Sequence, residues 1–236
     1  MEKKELQKVI NANIEILGLK NTAKMILYFF LKKILKKMPK DRFDKKYNVS
    51  TQDIISLKDL GITNNSLWYV PTHERVLNHV IRKLNIRYED YIFIDIGCGK
   101  GRALLMAMLF PFKRIIGVEL TETISNLAKD NVEILKQHKL TKCTDIEVQC
   151  KDATNFDPPN DNLAFFLYYP FRGRILNQVL DNIYKSHADI NKKILIAYVH
   201  LDTPEKEVFL SKSYLKKLLE YRTFNTDASW SLWELQ

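Results

Sequence analysis

Apolar and polar residues alternate in regular blocks between residues 91 and 199, and this pattern predicts alternating strands and helices. The predicted strands are short and largely apolar and comprise residues 91–96, 114–119, 146–150, 163–168 and 193–199. The predicted helices carry apolar residues at helical spacing and comprise residues 101–109, 121–138 and 173–186. Apolar strands of this kind are covered on both faces, so the alternation predicts a parallel sheet with right-handed crossovers.

The residues that precede this core have other patterns. Residues 5–37 show helical spacing, which predicts two helices separated near residues 18–21 and ended by Pro39. Residues 41–65 are polar and lack a period, so they predict an irregular connection able to fold over a ligand. Thr72 is expected to cap a helix that begins at His73 and ends near Asn85.

The C-terminal residues predict at most a short helix at Thr203, followed by two antiparallel strands at residues 215–224 and 229–235. Trp230 and Trp233 are assigned to the core of this hairpin. We therefore expect two parts in the chain: a basic helical extension with its connection over residues 1–65, and an α/β domain over residues 66–236.

Positive charge is concentrated near the N-terminus. The net charge is +9, and residues 1–60 hold 14 Lys or Arg against 7 Asp or Glu. Residues 20–40 carry seven lysines and no acid, interleaved with apolar residues, which predicts a basic amphipathic helix. Such a helix suits an acidic protein partner, an anionic membrane surface or RNA, and these alternatives stay open.

The cysteines and the N-terminal residues favour a cytoplasmic protein, with peripheral membrane contact as an open alternative. Cys98, Cys143 and Cys150 include no C-x-x-C pair and no histidine at ligand spacing, so neither a disulfide framework nor a metal site is expected. No signal peptide is expected, because the first residues lack an early apolar core. The longest apolar run, residues 25–31, is far short of the roughly 20 residues that a membrane helix needs.

A glycine-rich turn follows the first predicted strand, in the sequence Asp95-Ile-Gly-Cys-Gly-Lys-Gly-Arg102. Gly97 and Gly99 allow a sharp turn and a close approach of the backbone to a ligand, and Gly101 allows the next helix to pack on the sheet. Glu119 ends the second strand, where a carboxylate can accept hydrogen bonds from both hydroxyls of a ribose. The arrangement predicts a nucleoside-type ligand at the carboxyl edge of the sheet.

The spacing of these residues differs from that of dinucleotide-binding proteins. It is G-x-G-x-G and not G-x-G-x-x-G, and Asp95 would repel a pyrophosphate but attract an ammonium group. The segment resembles motif I of the class I S-adenosylmethionine-dependent methyltransferases, and the resemblance covers about residues 68–198. It implies an α/β fold with a Rossmann-like, doubly wound, mostly parallel sheet of seven strands, an antiparallel C-terminal hairpin and an N-terminal helical extension. It also implies S-adenosyl-L-methionine as the cofactor.

The resemblance implies roles for individual residues. The implied cofactor contacts are Asp95, Gly97, Gly99, Gly101, Glu119 and Asp152. Asp152 matches the acid that accepts the adenine amino group, although a polar turn at Lys151-Asp152 is the simpler alternative. Lys100 and Arg102 are either solvated residues at the start of a helix or, for Arg102, a partner of the cofactor's carboxylate.

The segment Tyr69-Val-Pro-Thr72 resembles the Y-V-P-T segment that precedes motif I in a lysine methyltransferase group with archaeal and mitochondrial members. The resemblance implies that Tyr69 and Thr72 contact the methionine end of the cofactor. The alternative is a helix entry in which Pro71 fixes the chain and Thr72 is the cap.

The segment Tyr168-Tyr169-Pro170-Phe171 occupies the position of motif IV, where amine-directed methyltransferases carry Asn or Asp, Pro, Pro and an aromatic residue. Tyr169 replaces the Asn or Asp here. Transfer to the weakly nucleophilic amine of a DNA base depends on that side-chain oxygen, so the replacement disfavours DNA as a substrate. A lysine amine needs less help, and an aromatic wall can favour its neutral form by excluding water.

The expected activity is methyl transfer to a protein lysine, with a small molecule or glycan, or RNA, as alternative acceptors. Tyr168, Tyr169, Pro170 and Phe171 are the candidate catalytic residues. His200 follows the last parallel strand and is an alternative general base, although a lone histidine at a strand end is more often a solvated residue. A cofactor-binding interaction module without catalysis is the alternative from a different functional class.

Overall fold

The computed structural model describes residues 42–52, 55–56, 68–187, 192–199, 203–223 and 228–236, together with Ala23 and Leu27. The chain divides into two units, Met1–Lys40 and Asp41–Gln236. The helices predicted within residues 5–37 and the basic helix at residues 20–40 lie outside the described residues, apart from Ala23 and Leu27. The second unit contains the predicted ligand site.

Two short strands, β1 (Ile55–Ser56) and β2 (Trp68–Tyr69), form a separate antiparallel pair ahead of the main sheet. The main sheet has seven strands: β3 (Tyr91–Ile96), β4 (Arg114–Glu119), β5 (Ile146–Cys150), β6 (Asn162–Tyr168), β7 (Ile194–Val199), β8 (Leu215–Tyr221) and β9 (Trp230–Leu235). The described helices are α1 (Phe43–Tyr47), α2 (Glu74–Lys83), α3 (Arg102–Ala107), α4 (Glu122–Lys136), α5 (Gly173–His187) and α6 (Thr203–Leu210).

The strand order is β5-β4-β3-β6-β7-β9-β8. Strands β3 to β7 are parallel, and β9 inserts antiparallel between β7 and β8. The order reverses at β3, whose neighbours are β4 on one side and β6 on the other, and ligands of open α/β sheets bind outside such a switch point. The predicted fold class is confirmed for the sheet, including the antiparallel C-terminal hairpin.

The apolar pattern located the strands because the central ones are buried along their whole length. All six residues of β3 and all six of β7 are buried, as expected for parallel strands with both faces covered. The predicted bounds of β3, β4 and β5 are those of the structure. Helix α3 is shorter than the predicted span of 101–109, because it ends at Ala107.

One prediction about a helix cap is wrong. Helix α2 is capped by His73 and not by Thr72, because the Nδ1 atom of His73 accepts a hydrogen bond from the backbone N–H of Arg75 at 3.1 Å. Helix α6 is short, as expected, and has eight residues starting at Thr203. Its inward side chain Phe209 is fully buried against Tyr198 and Trp233, and this packing stabilises a helix whose local sequence gives little signal.

Residues 42–52 are more ordered than the predicted irregular connection. They contain helix α1, and Phe43, Tyr47, Val49 and Thr51 are buried. These residues belong to the same unit as the sheet, whereas the sequence assigned them to the N-terminal extension. Burial of two aromatic side chains supplies the free energy that a polar connection would lack.

Strand β9 carries both tryptophans into the core, as predicted. Trp230 and Trp233 are each 1% exposed. The indole N–H of Trp230 donates to Nδ1 of His79 in α2 at 3.2 Å, and the ring of Tyr221 in β8 stacks on Trp230. The hairpin is therefore joined to the helix that precedes the first parallel strand.

Candidate cofactor and acceptor site

The turn after β3 is held against the end of β4 by its backbone. The N–H groups of Gly97 and Cys98 both donate to the carbonyl of Val118, at 2.8 and 3.0 Å. Gly97 has a φ of +77°, and a Cβ built on it would lie 2.6 Å from Cβ of Pro170. Glycine is required here both by the backbone conformation and by the close approach of the β6 turn.

The third glycine of the turn allows α3 to start close to α4. Gly101 has a φ of +83°, and a Cβ on it would lie 3.2 Å from Cβ of Ala128 in α4. The predicted role of Gly101 is packing of the next helix on the sheet, whereas its close neighbour is helix α4. The three glycines Gly97, Gly99 and Gly101 all have a positive φ and so form a tight turn after β3.

Glu119 lies at the end of β4, as predicted, and its carboxylate is fixed by backbone donors. Oε2 accepts from the N–H of Gly99 at 3.0 Å, and Oε1 accepts from the N–H of Thr121 at 3.1 Å. The residue is 9% exposed, and this burial raises the pKa of its carboxyl, although the hydrogen bonds from Thr121 and Gly99 oppose the shift. The carboxylate is thus held directly beside the glycine turn.

Asp95 is the second acid of the site and is 3% exposed near the end of β3. Its burial, followed by the nearby negative charge of Glu119, raises the pKa of the Asp95 carboxyl well above its ordinary value. Two neighbouring buried carboxyls fit a cationic ligand and disfavour a polyphosphate.

The predicted adenine contact, Asp152, lies just after β5 and is exposed. Its Oδ1 atom accepts hydrogen bonds from the backbone N–H and the hydroxyl of Thr154, at 2.8 and 2.7 Å, and so caps a single 3-10 turn, Ala153–Asn155. The alternative of a polar turn therefore describes the local structure correctly. A contact between Asp152 and adenine stays a prediction.

The turn after β6 brings the aromatic candidates beside the glycine turn. Tyr168 ends β6, and the next residue, Tyr169, has a φ of +46°. Such a positive φ is unusual for a bulky residue. The Tyr169 ring lies 4.7 Å from the guanidinium of Arg172 in a cation–π contact. Phe171 is buried in the core, whereas Tyr168, Tyr169 and Pro170 are partly exposed. Three of the four candidates thus have accessible surface at the carboxyl edge.

The remaining predicted contacts are described only in part. Tyr69 pairs through its backbone with Ile55 across the short β1–β2 pair. Thr72 is 5% exposed, directly before α2. His200 lies outside the described residues, so its role as a general base stays a prediction.

The side chain of Arg102 is buried and contacts residues 43–51. It is 2% exposed, its Nη2 atom donates to Oδ1 of Asp44 at 2.9 Å, and its guanidinium lies 4.6 Å from the ring centre of Phe43. Nε of Arg102 also donates to the hydroxyl of Thr51. The alternative in which Lys100 and Arg102 are solvated is wrong, because Lys100 is 4% exposed as well.

Sequence reasoning missed the partners of Arg102. Asp44 and Thr51 both contact Arg102 and bond to each other at 2.6 Å, and Asn131 donates to the carbonyl of Lys100 in the glycine turn.

Among the described residues, no group of His, Cys, Asp or Glu is placed to hold a metal ion. Among those residues there is also no helix long and apolar enough to cross a membrane.

Comparison with known proteins gives matches over part of the chain. The profile of the family described as "Histone methylation protein DOT1" matches residues 47–144. A "Ubiquinone biosynthesis O-methyltransferase" of Coxiella burnetii is 29% identical over 118 residues, covering 47% of this chain and 48% of that protein. A "Protein-lysine N-methyltransferase" of Saccharolobus islandicus is 30% identical over 92 residues, covering 36% of this chain and 55% of that protein. The chain thus spans about half the length of these relatives.

The solved structure of the Escherichia coli protein yhhF has the same fold. It superposes with a TM-score of 0.52 over 69% of this chain and 86% of that chain, at 18% sequence identity. The strand order, the glycine turn between two acids and the sequence matches agree with one another. The chain is therefore similar to methyltransferases in part of its sequence and shares the fold of the yhhF structure.

Proposed function

We propose that this chain transfers a methyl group from S-adenosylmethionine to the side-chain amine of a protein lysine. The observation that carries the proposal is the contact between Gly97 and Pro170, because it joins the cofactor turn to the aromatic β6 turn. Tyr169 stands in this turn where a side-chain oxygen would hold the amine of a DNA base. The relative from Saccharolobus islandicus, described as acting on protein lysine, supports the same acceptor.

Individual residues would hold the cofactor as follows. Asp95 and Glu119 attract its positive charge, and Glu119 can exchange its bond with the N–H of Gly99 for the ribose hydroxyls. Asp152 retains an oxygen that does not bond to Thr154 and can accept the adenine amino group. When bound, the cofactor supplies an electrophilic methyl group on a sulfonium.

The protein's contribution to the reaction is positioning and exclusion of water. The rings of Tyr168 and Tyr169 and the ring of Pro170 border the path by which an acceptor reaches the site. An amine surrounded by such groups loses hydration, which lowers the pKa of a lysine and favours its neutral, nucleophilic form. The transfer then needs an in-line approach and no dedicated base, although His200 stays the proposed alternative base.

A hydroxyl acceptor is the second candidate function. The relative from Coxiella burnetii, described as an O-methyltransferase of ubiquinone biosynthesis, favours a small-molecule hydroxyl. A hydroxyl is less nucleophilic than a neutral amine, so this chemistry would require a base such as His200. A His200→Ala variant that keeps full activity would favour the amine acceptor, because transfer to a hydroxyl requires a base.

The test is transfer of labelled methyl groups in native lysate. The purified chain is incubated with isotope-labelled cofactor and lysate, and mass spectrometry identifies the molecules that gain label. Methyl-lysine in a protein supports the proposal, whereas label in a small molecule, a glycan or RNA overturns the acceptor. Glu119→Ala serves as the inactive control. Binding of S-adenosylhomocysteine without any labelled product would identify an interaction module.

A further inference from the structure

We propose that Asp44 and Arg102 are positioning residues that clamp residues 42–52 onto the glycine turn and thereby set the affinity for the cofactor. This inference rests on the proposed cofactor site. Neither residue needs to touch the cofactor. Residues 42–52 are called the clamp segment below.

Arg102 forms one side of the clamp. It follows Gly101 directly and opens α3, so its backbone continues the glycine turn. Its side chain is 3% exposed and reaches Asp44, Thr51 and the Phe43 ring, all within the clamp segment. A buried guanidinium with these partners holds the clamp segment at a fixed distance from the turn.

Asp44 joins the two ends of the clamp segment through hydrogen bonds from Thr51 and Gln52. Besides Arg102, its carboxylate accepts hydrogen bonds from the N–H of Thr51 at 2.5 Å, from the hydroxyl of Thr51 at 2.6 Å and from the N–H of Gln52 at 2.7 Å. One carboxylate therefore fixes the chain seven and eight residues further on. Thr51 is fully buried, and its amide and its hydroxyl both donate to this carboxylate.

Asn131 in α4 joins the clamp segment to the turn on the opposite side of Gly101. Its Nδ2 atom donates to the carbonyl of Ser50 at 3.1 Å and to the carbonyl of Lys100 at 3.0 Å. Its Oδ1 atom accepts from the N–H of Ser50 at 2.9 Å. The same side-chain amide thus contacts both the clamp segment and the glycine turn.

The two connections fall on Lys100 and Arg102, the residues on either side of Gly101. Gly99, which donates to Glu119, is the next residue before Lys100. A shift of the clamp segment therefore moves the N–H groups and the acid that the cofactor would meet. Because coupling between two sites is reciprocal, a bound cofactor must also stabilise the clamp segment.

The experiment measures S-adenosylhomocysteine binding by calorimetry and amide hydrogen exchange of residues 50–52 in the full chain. We expect the ligand to slow exchange at Thr51 and Gln52 in the unaltered protein. We expect Asp44→Asn to weaken binding by about tenfold and to remove that slowing, since coupling free energies commonly correspond to 5- to 150-fold. Exchange in β8 and β9 serves as the internal reference.

Matched variants separate positioning from general stability. Glu133→Gln, which removes an exposed ion pair with Lys136, should leave the affinity unchanged. If Asp44→Asn fails to fold, Thr51→Val removes one partner of the carboxylate at constant size and replaces it in the test. Unaltered protein that does not bind the ligand would overturn the proposed cofactor site as well. Two results would overturn the clamp alone. One is normal ligand affinity in a folded, fully active Asp44→Asn variant. The other is amide exchange at residues 50–52 of the unaltered protein that does not change when the ligand binds.

Discussion

Gly97 and Pro170 are in contact across the carboxyl edge of the sheet, so that a Cβ on Gly97 would come within 2.6 Å of the Cβ of Pro170. The pair joins the turn after β3 to the turn after β6. The two turns can approach this closely only because residue 97 has no side chain. Gly173 offers a matched comparison, because it also has a positive φ but has no atom within 4 Å of a built Cβ.

The first prediction is that Gly97→Ala is more harmful than Gly173→Ala. Backbone strain alone should cost each variant about 1 kcal/mol, and the clash with Pro170 should cost Gly97→Ala about 1–3 kcal/mol more. Urea unfolding measures the stability and calorimetry measures S-adenosylhomocysteine affinity. Equal losses of stability in the two variants would contradict the importance of the contact.

The second prediction concerns Asp95. Its folded-state pKa is raised, so the stability linked to its protonation is present below the unfolded pKa and is lost as pH rises through the folded value. Asp95→Asn should therefore be more stable than the unaltered protein at neutral pH without ligand, and the difference should shrink in acid. Thermal unfolding across pH measures this effect.

The same carboxyl should make ligand binding depend on pH. The ammonium group of S-adenosylhomocysteine prefers the ionised acid, so the affinity for this ligand should fall as pH is lowered, and less steeply in Asp95→Asn. Calorimetry at a series of pH values provides the measurement. An affinity that rises in acid would show that the acids do not face the ligand's amino group.

The third prediction concerns Glu205 in the first turn of α6. It is 1% exposed, and its Oε2 atom is buried without a hydrogen-bond partner among the described residues. Removing an unsatisfied buried polar group is stabilising, so Glu205→Met should raise the free energy of unfolding by about 1–3 kcal/mol. Glu207→Met, at an exposed position of the same helix, should change it by less than about 0.5 kcal/mol. Denaturant titration measures the free energy of unfolding, and a decrease in Glu205→Met would contradict the prediction.

The fourth prediction concerns Glu220 in β8. Hydrogen bonds from Lys217 and Arg222, and then from Lys206 in α6, lower its pKa to about 2. A lowered folded-state pKa contributes stability above the unfolded value, which is lost as pH falls through the folded value. Glu220→Gln should therefore be less stable than the unaltered protein at neutral pH, and the two should converge as pH approaches 2. Stability is measured by denaturant unfolding at a series of pH values. If the difference between the two proteins stayed constant down to pH 2, Glu220 would not contribute to the pH dependence of stability.

The strands and the glycine turn could be predicted because their signals are local. Buried strands such as β3 and β7 are apolar along their whole length, and Asp95 and Glu119 flank the turn at fixed spacing. The helix cap at His73 could not be distinguished from one at Thr72, because the choice depends on which side chain reaches the N–H of Arg75.

The surroundings of Arg102 could not be predicted, because they are long-range. Thr51 and Asp44 lie 51 and 58 residues before it in the sequence, and no spacing rule links such positions. The positive φ of Tyr169 is likewise imposed by the fold, since the sequence there contains no glycine or asparagine that would indicate it. These are the places where tertiary contacts override local preference.

The insertion of β9 between β7 and β8 has a consequence for biosynthesis. Until residues 215–235 have been made, β7 is an unpaired sheet edge with backbone groups open to other chains. The bond from Trp230 to His79 joins residues 151 positions apart, so it too must wait for the end of translation of this region. A nascent chain of this protein therefore keeps an open strand edge, able to pair with other chains, until the hairpin emerges from the ribosome.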